Sequence, residues 1–131
     1  MNTAIAAQLN AAADHITEHG WTTGDWHEPT IDHANPGHYL PINQSRLCAL
    51  AAIKIACGQD ADDAELTPAT RAAARAFADH LGLNVPADHD DEDGALTEAI
   101  GGWNDRDGQT REQVIAALRA AAGALTAGSP A

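Results

Sequence analysis

SRLCALAAIKIACG, residues 45–58, is the most apolar run of the chain, interrupted only by Arg46 and Lys54. A helix that is apolar on nearly every side leaves no face for water and is buried. The run is read as the central helix of the fold, with Ser45 as its N-cap and Gly58 at its end.

The flanking segments supply what packs around it. Ahead of it, Ile5, Leu9, Ala12 and Ile16 recur at spacings of four and three, which predicts a helix from Thr3 to His19 closed by Gly20. Behind it, residues 59–66 are acidic and read as a solvated loop. Thr67-Pro68 then opens a third helix, a capping hydroxyl followed by proline in the first turn. Ala69, Ala73, Phe77 and Leu81 form its apolar face. Arg71, Arg75 and Asp79 line the other side, and Gly82 ends it. The acidic stretch ADHDDED, residues 87–93, matches no calcium-loop register and reads as a surface loop. A short helix over residues 95–103 carries Leu96, Ile100 and Trp103. In the last helix Thr110 and Gln113 form a capping box, and Val114, Ile115, Leu118, Ala122 and Leu125 are the buried positions. The fold expected is all-α: one domain over residues 1–131, a bundle of four to five helices, with a tail frayed from about residue 127.

Composition points the same way. Close to a quarter of the 131 residues are alanine, the best helix former, and aromatics make up 4%. Nineteen acidic residues against seven basic ones give a net charge of −12. Such a surface repels phosphate backbones and anionic lipids, so neither direct nucleic-acid binding nor membrane binding is expected. Cys48 and Cys57 lie nine positions apart, ~13 Å along one helix, too far to bridge there. Reduced thiols suit a cytoplasmic protein. The first residues lack the basic start of a signal peptide, and no apolar run is long enough to span a membrane.

The irregular segment is WTTGDWHEPTIDHANPGHYLPIN, residues 21–43. It holds two tryptophans, three histidines and three prolines, and Asn35-Pro36-Gly37 is a turn signal. A minor hairpin between Thr30 and Leu40 is compatible with this spacing. Loops of this length in a compact domain are often functional. Trp26, His27, His33, His38 and Tyr39 are the candidate binding residues. The competing reading is that Trp21 and Trp26 cover one end of the bundle. His15 and His19, one helical turn apart, are a weak candidate metal pair without a third ligand. No cofactor is implied.

One set of short motifs resembles a known family. His19-Gly20-Trp21, then Cys48-Ala49-Leu50 followed by Ala51-Ala52, then Trp103-Asn104-Asp105, and Thr110 with Val114, stand in an order similar to that of an uncharacterised domain family from actinobacteria and their phages. The resemblance runs from about Ala4 to Leu125. It implies a helical fold and a phage or actinobacterial origin, and it implies no mechanism.

Catalytic signatures are few. The chain has no nucleophile-elbow motif, no phosphate-cradling glycine loop and only two serines, Ser45 and Ser129. Trp103 is expected to plug the bundle, with Asn104 and Asp105 bonding the turn that follows. Three functions stand. The first is a small acidic protein-interaction module, binding a host protein if the chain is phage-encoded. The second is a cysteine-dependent hydrolase or transferase. Here Cys48, third in the central helix, would be favoured as a thiolate by the helix N-terminus, with His33 or His38 as base; the competing reading is that Cys48 heads an interior run of alanine and leucine and only fills core space. The third is an acidic DNA mimic that inhibits a nucleic-acid enzyme.

Overall fold

The computed structural model of the chain describes residues 3–24, 27–28, 31–63, 65–85 and 91–127. Among these, five α-helices account for most of the structure: α1 (Thr3–His19), α2 (Ala49–Ala56), α3 (Pro68–Leu81), α4 (Glu92–Asn104) and α5 (Arg111–Ala127). Two minimal strands, β1 (His27–Glu28) and β2 (Arg46–Leu47), pair antiparallel, His27 opposite Leu47 and Glu28 opposite Arg46. The all-α expectation holds.

The helices begin and end where local chemistry dictates. The Thr67 hydroxyl accepts from the Thr70 N–H, with Pro68 in the first turn. Gly82 closes α3 in the left-handed region at φ 73°. Thr110 and Gln113 make the reciprocal bonds of a capping box, Gln113 N–H to Thr110 Oγ1 at 3.1 Å and Thr110 N–H to Gln113 Oε1 at 2.9 Å.

α2 is buried over all but its last two residues: Ala49, Leu50, Ala51, Ala52, Ile53 and even Lys54 are inaccessible, and Ile55 and Ala56 are partly covered. It touches α1, α3 and α4, while α5 packs on α1 and α3. One core results, built from Leu9, Ile16, Leu50, Ile53, Phe77, Leu96, Ile100 and Leu118 with many alanines between. The small residues let the helices lie close, and dispersion and burial of many small contacts replace a few large ones. Trp103 packs edge-on against Phe77, ring centroids 5.4 Å apart at 86°.

Four expectations are corrected. First, α2 starts at Ala49 and not after Ser45. Residues 46–47 are extended, because Leu47 exchanges backbone bonds with Gly20 O and Thr22 N–H and pairs with β1. Those bonds would be lost in a helix, so the helix begins two residues later with Cys48 as its N-cap. Second, Ala69 on α3 is exposed, and Thr70 fills the buried position. Third, α4 begins at Glu92 and not at residue 95. Asp91 caps it by accepting from the Gly94 N–H at 3.0 Å, and Glu92 and Asp93 occupy the first turn, where the helix dipole favours acids. Fourth, the end of the acidic stretch is therefore helix and not loop. Arg71 grips Asp93 through two bonds at 2.7 and 3.2 Å, and Arg75 reaches Glu92 at 2.6 Å. These pairs tie α3 to α4. Residues 86–90 and the tail beyond Ala127 lie outside the described residues.

Lys54 is buried among apolar groups, yet its ammonium is not stranded. Nζ donates to the carbonyls of Asp63, at 2.7 Å, and Ala61, at 3.4 Å. The loop after α2 thus folds over the ammonium. Burial pushes the pKa of Lys54 down, against the pull of Cys48, Asp63 and Asp62.

Candidate functional site

The irregular segment divides into a part tied to the core and a part held out in solvent. The tied part runs beside β2, where Trp21 bridges to Leu47 in parallel fashion. Its anchor is Asn104 at the C-terminal end of α4, a buried amide. Asn104 Oδ1 accepts from Trp21 Nε1 at 2.7 Å and from the Ala49 N–H at 3.0 Å. Nδ2 donates to Thr22 O at 3.1 Å and to Asp105 Oδ1 at 2.9 Å. Two lone pairs and two hydrogens are all used, which satisfies the amide completely. Asp105 Oδ1 also accepts from the Gly24 N–H at 3.0 Å. Asn104 and Asp105 therefore bond segments 55 to 83 residues away, not the turn that follows them, which corrects the sequence expectation. Gln109 serves that turn instead, donating to Trp103 O at 2.7 Å.

Beside this node lies a cavity of about 210 Å3, with Cys48, Leu50, Thr97, Asn104 and Asp105 among its walls. Cys48 is 6% exposed, and its Sγ accepts from the Ala51 N–H at 3.4 Å. Burial pushes the thiol's pKa up. The Ala51 and Leu50 amides pull it down, as a helix start should, but desolvation prevails. The helix position is corrected, since Cys48 stands at the N-cap and not third in the helix, and its burial agrees with the packing reading of this cysteine over the thiolate one. Among the described residues, the charged groups that act on it are Lys54 and Asp105, and no histidine is among them. His33 and His38 sit elsewhere, on the exposed part of the segment. Cys57, half-buried, is also a free thiol and is shifted upward by burial.

The exposed part is an arm from residue 31 to residue 40. Ile31 and Tyr39 form an antiparallel bridge. Beyond it, the Asp32 N–H donates to His38 O at 3.0 Å, and the His38 N–H donates to Asn35 O at 3.1 Å. The latter bond closes a turn with Pro36 second and Gly37 third at φ 87°, the left-handed value that a type II turn requires. Asp32 Oδ1 accepts from the Ala34 N–H at 3.0 Å and braces the tip. The hairpin expected between Thr30 and Leu40 is present in this one-bridge form. His33, His38 and Tyr39 are brought together on it. Trp26 lies outside the described residues, as does the side chain of His27.

The His15 and His19 rings lie tilted at 46° to each other, centroids 4.7 Å apart, on the last turns of α1. His15 Nε2 bonds Ser45 O at 3.1 Å, and burial lowers its pKa, against the effect of that bond. Among the described residues no group of three metal-ligating side chains forms around them.

Three of the motifs behind the family resemblance thus meet at one point: Trp21, Ala49 and Asp105 all bond Asn104. The model of a family of unknown function, DUF6197, matches residues 1–124. The chain belongs to this family. Membership fixes no activity. Comparison with curated proteins and with solved structures gives no match. Among the described residues of this family member, no helix is long and apolar enough to cross a membrane.

Proposed function

We propose that this DUF6197 protein is a small acidic interaction module of phage or actinobacterial origin, and that its arm at residues 31–40 seats on a basic protein of the host cell. The observation that carries the reading is the pair Ile31 and Tyr39, 58% and 67% exposed, the large apolar side chains left in water among the described residues. A single exposed apolar residue needs no explanation. Two directly opposed across an antiparallel bridge share one face and make a contiguous anchor. Aromatic anchors of this kind dominate binding energies, and the turn that presents them is already braced, so little ordering is required on docking. The net charge of −12 selects for a seat rimmed by Lys and Arg.

The cysteine-enzyme reading draws no support from a buried, upshifted thiol. The mimic reading needs acids arrayed on a surface, and Glu92 and Asp93 are instead engaged by arginines.

Affinity capture from an actinobacterial lysate tests the proposal, with wild type and the Ile31→Ser/Tyr39→Ser variant compared at low and high salt. The expected result is a protein retained by wild type, lost from the variant, and released as salt screens the charges. An identical retained set for both proteins would refute it.

A further inference from the structure

The cavity of about 210 Å3 beside the Asn104 node has a polar edge and apolar walls, and it shares no described residue with the arm at residues 31–40. Thr97, Gly101 and Asn104 recur at spacings of four and three on α4, so one face of that helix forms a side of it. Cys48 and Leu50 come from the start of α2, and Gly24 comes from the tied part of the irregular segment.

We propose that this cavity binds a small primary alkylamine in its ammonium form, with the Asp105 carboxylate and the Thr97 hydroxyl as acceptors and Leu50, Cys48 and Gly101 around the hydrocarbon chain. Of the polar groups in the wall, the Asn104 amide is already saturated and offers a ligand nothing. Asp105 takes the Gly24 N–H and Asn104 Nδ2 on one oxygen, Oδ1. Among the described residues, its Oδ2 and the Thr97 hydroxyl are left without a bond. No lysine or arginine stands among the described residues of the wall. An ammonium, with three donors and a positive charge, matches that set. A carboxylate or phosphate would meet an acid and no cation. The net charge of −12 favours the same sign of ligand.

Size and packing limit what the ammonium can carry. The volume lies below the ~300–1,000 Å3 of drug-sized sites, which restricts the ligand to a short chain. Leu50 and the Cys48 thiol give that chain an apolar floor. Gly101 widens the space. A Cβ there would meet nothing within 4 Å, so packing does not require glycine, although alanine is the better helix former. A large side chain at this position would take up the ligand's room. Asp105 is exposed, so its charge is partly screened and the apolar contacts carry a share of the affinity.

The test is a titration of the 15N-labelled protein at constant ionic strength with butylammonium, butanol and butyrate, and with Nα-acetyl-lysine amide standing in for a protein lysine. Saturable shifts are expected at the Gly24 and Gly101 amides with butylammonium. Butanol should bind about fivefold more weakly or worse, and butyrate should give no saturable shift. Asp105→Asn keeps an oxygen for the Gly24 N–H and should weaken butylammonium by a similar factor. Gly101→Leu leaves the carboxylate in place and should abolish binding by filling the cavity. Gly102→Ala, on the same helix and outside the cavity, should leave binding unchanged. Absence of saturable shifts, butanol or butyrate binding as tightly as butylammonium, or undiminished binding by Asp105→Asn or by folded Gly101→Leu would each overturn the proposal. Tighter binding of Nα-acetyl-lysine amide than of butylammonium would overturn the free amine as the ligand and give the cavity to a lysine of a protein partner.

Discussion

At Asn104 a single side chain closes three segments of chain around itself. Asn104→Ala would leave the Trp21 indole N–H, the Ala49 N–H and Thr22 O without their partner. An unsatisfied buried group costs roughly 1–3 kcal/mol. The variant should lose about 3 kcal/mol of stability, a fall of roughly 10 °C in Tm for a domain of this size, read by thermal denaturation. A change under about 2 °C would show the node to be dispensable. Cys48 allows a second test at the same scale. It is buried and its pKa is raised, so iodoacetamide near neutral pH should label Cys57 before Cys48 and both slowly until denaturant is added. Rapid labelling of Cys48, titrating below the ~8.5 of a free thiol, would restore the nucleophile. Sequence showed that Cys48 stood near a helix start. Its place at the head of an alanine and leucine run also pointed to burial, and burial decides the sign of the shift, because desolvation opposes the helix amides there.

Among the elements, the helices were the legible part. Periodicity, caps and the Thr67-Pro68 opening placed α1, α3 and α5, since these signals act within a few residues. What failed depended on partners distant in sequence. Residues 46–47 left the helix because residues 20–22 and 27–28 offered strand-like bonds, and no local signal at Ser45 carries that information. The acids of residues 91–93 read as loop because their partners, Arg71 and Arg75, lie about twenty residues away. That zipper has a pH consequence. Arg71 holds the Asp93 carboxyl below its ordinary pKa, so the folded state binds its proton less readily than the unfolded chain. Its stabilisation is present in full above the unfolded value near ~3.9 and is lost as pH falls through the folded one. Urea unfolding between neutral and acid pH should show this loss in wild type and a smaller one in Asp93→Asn. Parallel curves would remove Asp93 from the acid sensitivity.

Seen whole, the molecule is a helical core with one outlying arm on an acidic body. Charge and composition were legible from sequence because they need no coordinates. Asn35-Pro36-Gly37 announced the turn, and the turn formed. That Trp21 would be tied inward while Ile31 and Tyr39 stand out was not legible, since all lie in one aperiodic segment and only the Asn104 node separates them. Ile31 and Tyr39 stand exposed, and the proposed docking role requires that they contribute little to the fold. Surface side chains away from the core typically contribute within about 0.5 kcal/mol. Thermal denaturation of the Ile31→Ser/Tyr39→Ser protein tests this most directly. A Tm within about 2 °C of wild type is predicted; a fall of more than about 4 °C, on the order of 1 kcal/mol, would make the arm part of the core and contradict the account.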